Sequence, residues 1–210
     1  MKIVEPSVEI LSEIDGQRIL KHLERCGRVC YKSEGRIADG TAERFVRSVI
    51  RRGHESVLEH ACVTVKFVCD RGVSHEIVRH RIASYSQEST RYCNYADDKF
   101  GEEITVVKPC FLQPGTDRWY LWEIGCRTSE KAYFTLLKRG ATPQEARSVL
   151  PNSLKTEVVM TANLREWRHF FKLRTAKDAH PQMRQVACML LKEMKRLIPV
   201  VFDDIEVEHE

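Results

Sequence analysis

No run of apolar residues in this chain approaches the roughly 20 needed to cross a bilayer as a helix, which argues against a helical membrane protein. Its first residues, MKIVEPSVEILSEIDG, carry acids where a secretory leader would be uniformly apolar, so the expected location is the cytoplasm. Low-complexity tracts, internal repeats and Pro/Gly/Ser-rich linkers are missing too, and with them any sign of a domain boundary. At 210 residues, one domain over 1–210 is expected. Eight cysteines are present, at 26, 30, 62, 69, 93, 110, 126 and 188, yet none forms a C-x-x-C pair. That spacing favours reduced, mostly buried thiols over a zinc site, and no metal is expected. A dominant charge sign is lacking as well, since 34 Lys and Arg face 30 Asp and Glu for a net charge of +4. The basic residues are spread along the chain, which argues against a dedicated nucleic-acid groove and leaves a small anionic ligand within reach.

What is present reads as helices with a few strands between them. Ile19, Leu20, Leu23, Cys26 and Val29 recur at helical spacing across residues 15 to 31. Thr41 is placed to cap a second helix with the apolar face Phe45, Val46, Val49 and Ile50, stopped by Gly53. ACVTVKFVC, residues 61 to 69, alternates with the period of a strand. After an Asp70-Arg71-Gly72 turn, Ser74 is placed to cap a short helix that runs into Arg79, His80 and Arg81. Residues 117 to 139 form a long helix ended by Gly140. Thr142-Pro143-Gln144-Glu145 is a capping box with proline at the first helical position, and its helix stops near Pro151. LKTEVVMTA, residues 154 to 162, reads as a strand, Asn163 and Glu166 open a helix to about Arg174, and a final helix covers 181 to 197.

The stretch RHRIASYSQESTRY, residues 79 to 92, carries the chemistry. On a helix, Arg79 and Arg81 would point to different faces and so could hold two parts of a ligand. The hydroxyl and amide side chains of Ser84, Ser86, Gln87, Glu88, Ser89 and Thr90 follow, where helical periodicity is lost. A turn there can aim backbone N–H groups at a phosphate, with Arg91 adding a bidentate cation. Upstream, GHESVLEH places His54, Ser56, Glu59 and His60 between a helix and a strand. Downstream, ARSVLP carries Arg147, and NLREWRHFFKLR carries Arg165 and His169 four apart on one face, followed by Arg174. Trp167, Phe170 and Phe171 read as core rather than as a ligand stack.

Arg-His-Arg, seven residues and Ser, continuing as STRY, resembles the signature of the flavin-dependent thymidylate synthases. GHESVLEH, ARSVLP and the NLR…LR helix follow that family's order and spacing, over roughly residues 40 to 190. The resemblance implies an α/β fold of the α+β type, with a central, mostly antiparallel sheet flanked by helices in a single domain. It implies methylation of dUMP to dTMP, with methylenetetrahydrofolate as one-carbon donor and NADPH as reductant through FAD. His54, Ser56, Arg79, His80, Arg81, Gln87, Asn163, Leu164, Arg165 and His169 fall on flavin-contacting positions of the family. Glu76, Arg79, Gln87, Glu88, Ser89, Thr90, Arg91, Arg147 and Arg174 fall on nucleotide-contacting ones. Arg174 matches the family's catalytic guanidinium, which stabilises charge on the pyrimidine. The resemblance also implies a homotetramer with FAD at subunit interfaces, and no membrane or nucleic-acid partner.

The chain departs from the family in three places. Ser86-Gln87 replaces a common Asn-Glu, His169 replaces a common Asn, and TAKDAHPQ after Arg174 differs in length from some members, which leaves the role of His180 open. Other readings remain on the sequence alone. Pro109-Cys110 offers the dipeptide of a cysteine-dependent thymidylate synthase, although VVKPCFLQPG resembles a loop. A non-catalytic nucleotide or RNA binder would use the arginine-rich helix ends. No G-x-S-x-G elbow surrounds Ser89, so a serine hydrolase is disfavoured.

Overall fold

A computed structural model describes residues 1–97 and 101–207. The strands are β1 (Lys2–Val4), β2 (Ser7–Ile10), β3 (Cys62–Asp70), β4 (Ala83–Gln87), β5 (Thr105–Val107) and β6 (Lys155–Asn163). The helices are α1 (Gly16–Val29), α2 (Thr41–Arg51), α3 (Arg71–Ile77), α4 (Asp117–Lys138), α5 (Pro143–Ala146), α6 (Leu164–Arg174), α7 (Pro181–Leu197) and α8 (Pro199–Phe202). β1 pairs with β5 in parallel, and a four-stranded sheet runs in the order β2-β3-β6-β4. Lys66 pairs with Glu9 while Thr64 bonds Leu11, and Ala61 bonds Leu164 while Thr64 meets Thr161. Residue numbers therefore rise on one strand as they fall on its neighbour, so β2-β3 and β3-β6 are antiparallel, as the resemblance implied.

Contacts divide the chain into two compact units. One comprises Met1–Ser7, Phe67–Arg79 and Ser86–Val158; the other comprises Val8–Lys66, His80–Tyr85 and Val159–Glu210. In the first unit, Tyr95, Ile104, Val106, Cys126, Tyr133, Ala146 and Leu154 form a buried cluster beneath α4 and α5. The expected capping box is present, with the Thr142 backbone N–H donating to Glu145 at 2.8 Å. Gly140 takes a positive φ of 90° just past α4, a conformation that glycine adopts without a Cβ clash.

The second unit is built on α6. Trp167, Phe170 and Phe171 are fully buried and meet edge to face or stacked, with Phe202 of α8 completing the cluster. These aromatics are core, as their spacing suggested. α1 and α2 approach so closely that a Cβ on Gly27 would lie 2.7 Å from the Phe45 ring, which explains a glycine inside a helix. Charge is buried here as well. Arg168 is 1% exposed, bonded to Glu55 at 3.1 Å, to both oxygens of Asp204 at 2.6 and 2.7 Å, and to the Val201 carbonyl.

Two caps differ from the sequence reading. Gly40, at a φ of 76°, precedes α2, while Thr41 lies inside its first turn and donates to buried Glu24 at 2.8 Å. The cap of α3 is Asp70, whose carboxylate accepts from Val73 N–H at 2.7 Å; Ser74 sits within the helix and donates to the Arg71 carbonyl. An aspartate at the strand end captures an N-terminal donor four residues before Ser74 can, so α3 starts and stops earlier than its periodicity suggested. β1, β2, β4 and β5 were not legible. Three are only three or four residues long or almost so, and β4 is largely polar.

Arg168 cannot lose a partner cheaply, because removing one side of a buried ion pair leaves the other uncompensated. Arg168→Ala should lower stability by about 3–5 kcal/mol in urea unfolding. Its hydrogen bond is the largest cause holding the Asp204 carboxyl below its usual range. A depressed folded pKa stabilises above the unfolded carboxylate value and is lost as pH falls through the folded one. Asp204→Asn should therefore lower the unfolding midpoint at pH 7 and bring it level with wild type in strong acid; equal loss at both pH values would contradict this.

Candidate active site

Because α3 ends at Ile77, Arg79, His80 and Arg81 lie in the turn between α3 and β4 and not on a helix. Their exposure alternates: Arg79 and Arg81 face solvent, and His80 between them is 3% exposed. The two guanidiniums are thus separated by a buried imidazole. The division between the units falls between Arg79 and His80.

In the second unit, His80 meets α6. Asn163 ends β6 and its side chain accepts from Glu166 N–H at 2.9 Å, which starts the helix. Glu166, at 8% exposure, turns its carboxylate to His80 Nδ1 at 3.0 Å. At the far end of α6, Arg174 Nε donates to His80 Nε2 at 3.1 Å. Phe170 and His169 pack beside the imidazole at centroid distances of 5.0 and 5.6 Å. Burial is the main force lowering the His80 pKa; Glu166 works against it and the Arg174 cation with it. Ligand atoms of His80, Glu166 and His169 lie within 4.8 Å of one another, a spacing that a metal could use. Both imidazole nitrogens are already engaged, one by a cation, so the hydrogen-bonded arrangement is the better satisfied one.

Arg165 and His169 share a face as their spacing required, and both line a cleft of about 470 Å³ with Asn163, Glu59, Ile82 and Lys172. Glu59 holds Arg165 at 2.6 Å. Exposed Ile82 gives this cleft an apolar surface, and Arg165 and Lys172 give it cations. Glu55 and Glu166 line it too, and Glu59 and Glu55 already face Arg165 and Lys172, so the cleft is mixed in charge. His54 lines a second, basic cleft of about 520 Å³ and meets the Tyr31 hydroxyl at 3.3 Å, while Ser56 is exposed. Leu164 is fully buried and its N–H donates to the Ala61 carbonyl, so it supports the start of α6 from within.

In the first unit, the polar residues after β4 form a turn. The Ser89 carbonyl accepts from Tyr92 and Cys93 N–H, and its hydroxyl accepts from Arg91 N–H at 3.3 Å. Arg147 approaches from the segment after α5 and donates to the Thr90 hydroxyl at 3.4 Å, and exposed Arg91 lies over the Tyr92 ring. Two guanidiniums beside a hydroxyl-bearing turn suit a phosphate. Gln87 donates to Ser74 and Thr156, and Glu88 accepts from Lys155 at 3.0 Å and from Tyr95. Burial opposes the Lys155 charge, but hydrogen bonds to Glu157 and Glu88 outweigh it and raise its pKa. Glu76 is half-buried at the end of α3.

The positions that the resemblance assigned to the nucleotide, Glu76, Arg79, Gln87 to Arg91 and Arg147, fall in the first unit, with Arg174 in the second. Those it assigned to the flavin fall in the second, except Arg79 and Gln87. Sequence reasoning treated Glu166 only as a cap and missed its carboxylate as part of the site. It also missed Lys155 and Tyr95 behind Glu88. Cys110 is exposed, and burial of its thiol by neighbours pushes its pKa up, the reverse of an activated nucleophile. The Ser89 hydroxyl bonds a backbone N–H and not a histidine.

Residues 14–200 match the family model described as thymidylate synthase complementing protein. Among curated proteins, the flavin-dependent thymidylate synthase of Geobacter sulfurreducens is 35% identical over 84% of this chain and 78% of its own. The protein of the same name from Mycolicibacterium gilvum is 34% identical over 96% of this chain and 85% of its own. Among solved structures, a UMP/dUMP methylase from Streptomyces cacaoi bound with 5-Br dUMP superposes with a TM-score of 0.78 at 23% identity, covering 97% of this chain and 96% of that one. At that identity the likeness speaks for the fold.

The buried imidazole makes a measurable statement. Because the folded pKa of His80 is lowered, the unfolded state binds more protons as pH falls through the ordinary histidine value of about 6.5, and stability declines there. In NMR titration the His80 ring should titrate below that value, and Glu166→Gln should lower its midpoint further. A midpoint above 7 in the wild-type protein would show a charged imidazole and contradict this electrostatic account.

Proposed function

Because the chain belongs to the thymidylate synthase complementing protein family, we propose that it is a flavin-dependent thymidylate synthase that methylates dUMP to dTMP. Methylenetetrahydrofolate supplies the one-carbon unit and NADPH the electrons. The observation that carries the reading is the Ser89–Arg91 turn with Arg147 beside it, a phosphate cradle on the segment that follows Arg79–Arg81. FAD, when bound, relays hydride equivalents from NADPH, which is chemistry that no side chain here supplies.

The residues of the chain bind and polarise. His54, Ser56, Arg81, Asn163, Arg165 and His169 would hold the flavin, with Arg79 and Gln87 shared between flavin and nucleotide. Leu164 would serve through its position at the start of α6, since its side chain is in the core. Ser89, Thr90, Arg91 and Arg147 would take the dUMP phosphate, and Glu76 and Glu88 would shape the nucleotide site. Arg174 would stabilise negative charge on the pyrimidine ring, raising electron density at the carbon that accepts the one-carbon unit. No protein nucleophile is needed.

Residues 1–210 serve as one domain in this reading, and the enzyme works in the cytoplasm as a homotetramer with FAD at subunit interfaces. Eight free cysteines agree with a reducing compartment. Among the described residues, no helix is long and apolar enough to cross a membrane.

The direct test incubates the purified protein with FAD, dUMP, methylenetetrahydrofolate and NADPH and separates products by chromatography. dTMP should form only with all four; a colourless protein that neither takes up FAD nor forms dTMP sinks the proposal. Arg174→Ala should lower single-turnover reoxidation of the reduced flavin from about tenfold to a few hundredfold with FAD still bound. Ser89→Ala removes one neutral hydrogen bond, about 1 kcal/mol, and should only weaken turnover. A dead Ser89→Ala beside a normal Arg174→Ala would make serine the nucleophile instead. Sedimentation equilibrium with FAD should give four chains per particle, and a monomer would refute the assembly.

A further inference from the structure

Glu166 occupies the third position of α6, where a glutamate ordinarily turns back to its own N-cap. Half of that arrangement is present, since Asn163 accepts from Glu166 N–H. The carboxylate itself goes elsewhere, to His80 Nδ1 at 3.0 Å, across 86 residues of sequence. On the other side of the ring, Arg174 Nε lies 3.1 Å from His80 Nε2. A guanidinium nitrogen can only donate. His80 Nε2 must therefore be unprotonated, which places the ring proton on Nδ1, where only an acceptor can meet it. Glu166 is that acceptor.

We propose that Glu166 is a positioning residue for the reaction, fixing His80 in its Nδ1–H form so that Nε2 accepts from Arg174 and holds the guanidinium plane at the pyrimidine. The proposal rests on the assignment of Arg174 to the nucleotide. A neutral glutamine in place of Glu166 can offer either its oxygen or its amide to Nδ1. In the second case the ring proton moves to Nε2, which then opposes Arg174. Burial of His80 and Glu166, with Phe170 against the ring, keeps water from substituting for either bond. Lowering of the His80 pKa by burial and by Arg174 agrees with a neutral ring between a carboxylate and a cation.

The test uses the full chain loaded with FAD. Nitrogen-15 NMR of the wild-type holoenzyme should show His80 as the Nδ1–H tautomer with an unprotonated Nε2. Glu166→Gln should lower kcat from about tenfold to a hundredfold, the scale of a misplaced catalytic group, with FAD stoichiometry and melting temperature close to wild type. In a His80→Ala background the same substitution should cost less than about twofold, because residues acting through one another are not additive. A merely structural Glu166 would give additive losses, and that result overturns the relay. So does an Nε2–H tautomer in the wild type, or a Glu166→Gln enzyme of normal rate. Should the variant fail to fold, the wild-type tautomer alone decides. A wild-type protein that forms no dTMP removes the proposed reaction, whereas an active wild type with additive variants removes the relay alone.

Discussion

The hydrogen bond from Glu166 N–H to the Asn163 side chain sets the start of α6, and most of the second unit depends on where that helix starts. Asn163 is also the last residue of β6, so the sheet and the helix are joined without a loop. A helix that begins one residue later is rotated by about 100°. Such a shift would take Trp167, Phe170 and Phe171 out of the core and move Glu166 away from His80. The capping residue thus couples packing and site through one angle.

The charged residues of that helix serve different purposes. Arg168 faces Glu55 and Asp204, and its ion pairs tie α6 to the 3-10 turn at Glu55–His60 and to the chain after α8. Buried pairs of this kind are poor sources of net stability but costly to break. One residue further on, His169 lies on the exposed side with Arg165, and at the end of the helix Arg174 reaches back to His80. An eleven-residue helix therefore presents a structural arginine inward and cleft-lining residues outward, separated only by the 3.6-residue period.

The first unit builds its proposed phosphate turn by different means. There the chain after β4 is short-sided and polar, and backbone turns at Ser89 supply the geometry while Arg91 and Arg147 supply charge. Lys155 between Glu88 and Glu157 offsets part of the negative charge of two carboxylates near this segment, which lowers the repulsion an incoming phosphate would meet.

The sequence by itself determined the elements that carry strong local signals. β3 and β6 alternate, α4 is long and ends at a glycine, and α6 begins at Asn163, all within a residue or two of their observed bounds, whereas α5 has its capping box but stops at Ala146 and tightens into a 3-10 turn short of Pro151. It also determined the family, because four spaced blocks of polar residues are specific as a set. Tertiary structure decided what local pattern could not. Asp70 outcompeted Ser74 for the cap of α3, so Arg79, His80 and Arg81 lie in a turn with the histidine alone buried. β4 forms from ASYSQ, whose alternation rests on Ala83 and Tyr85 alone, because its backbone is paired beside β6 in the sheet. The carboxylate of Glu166 follows the same rule. Local spacing offered it a helix cap, but a buried imidazole 86 residues away needed an acceptor more than the solvent-accessible cap did.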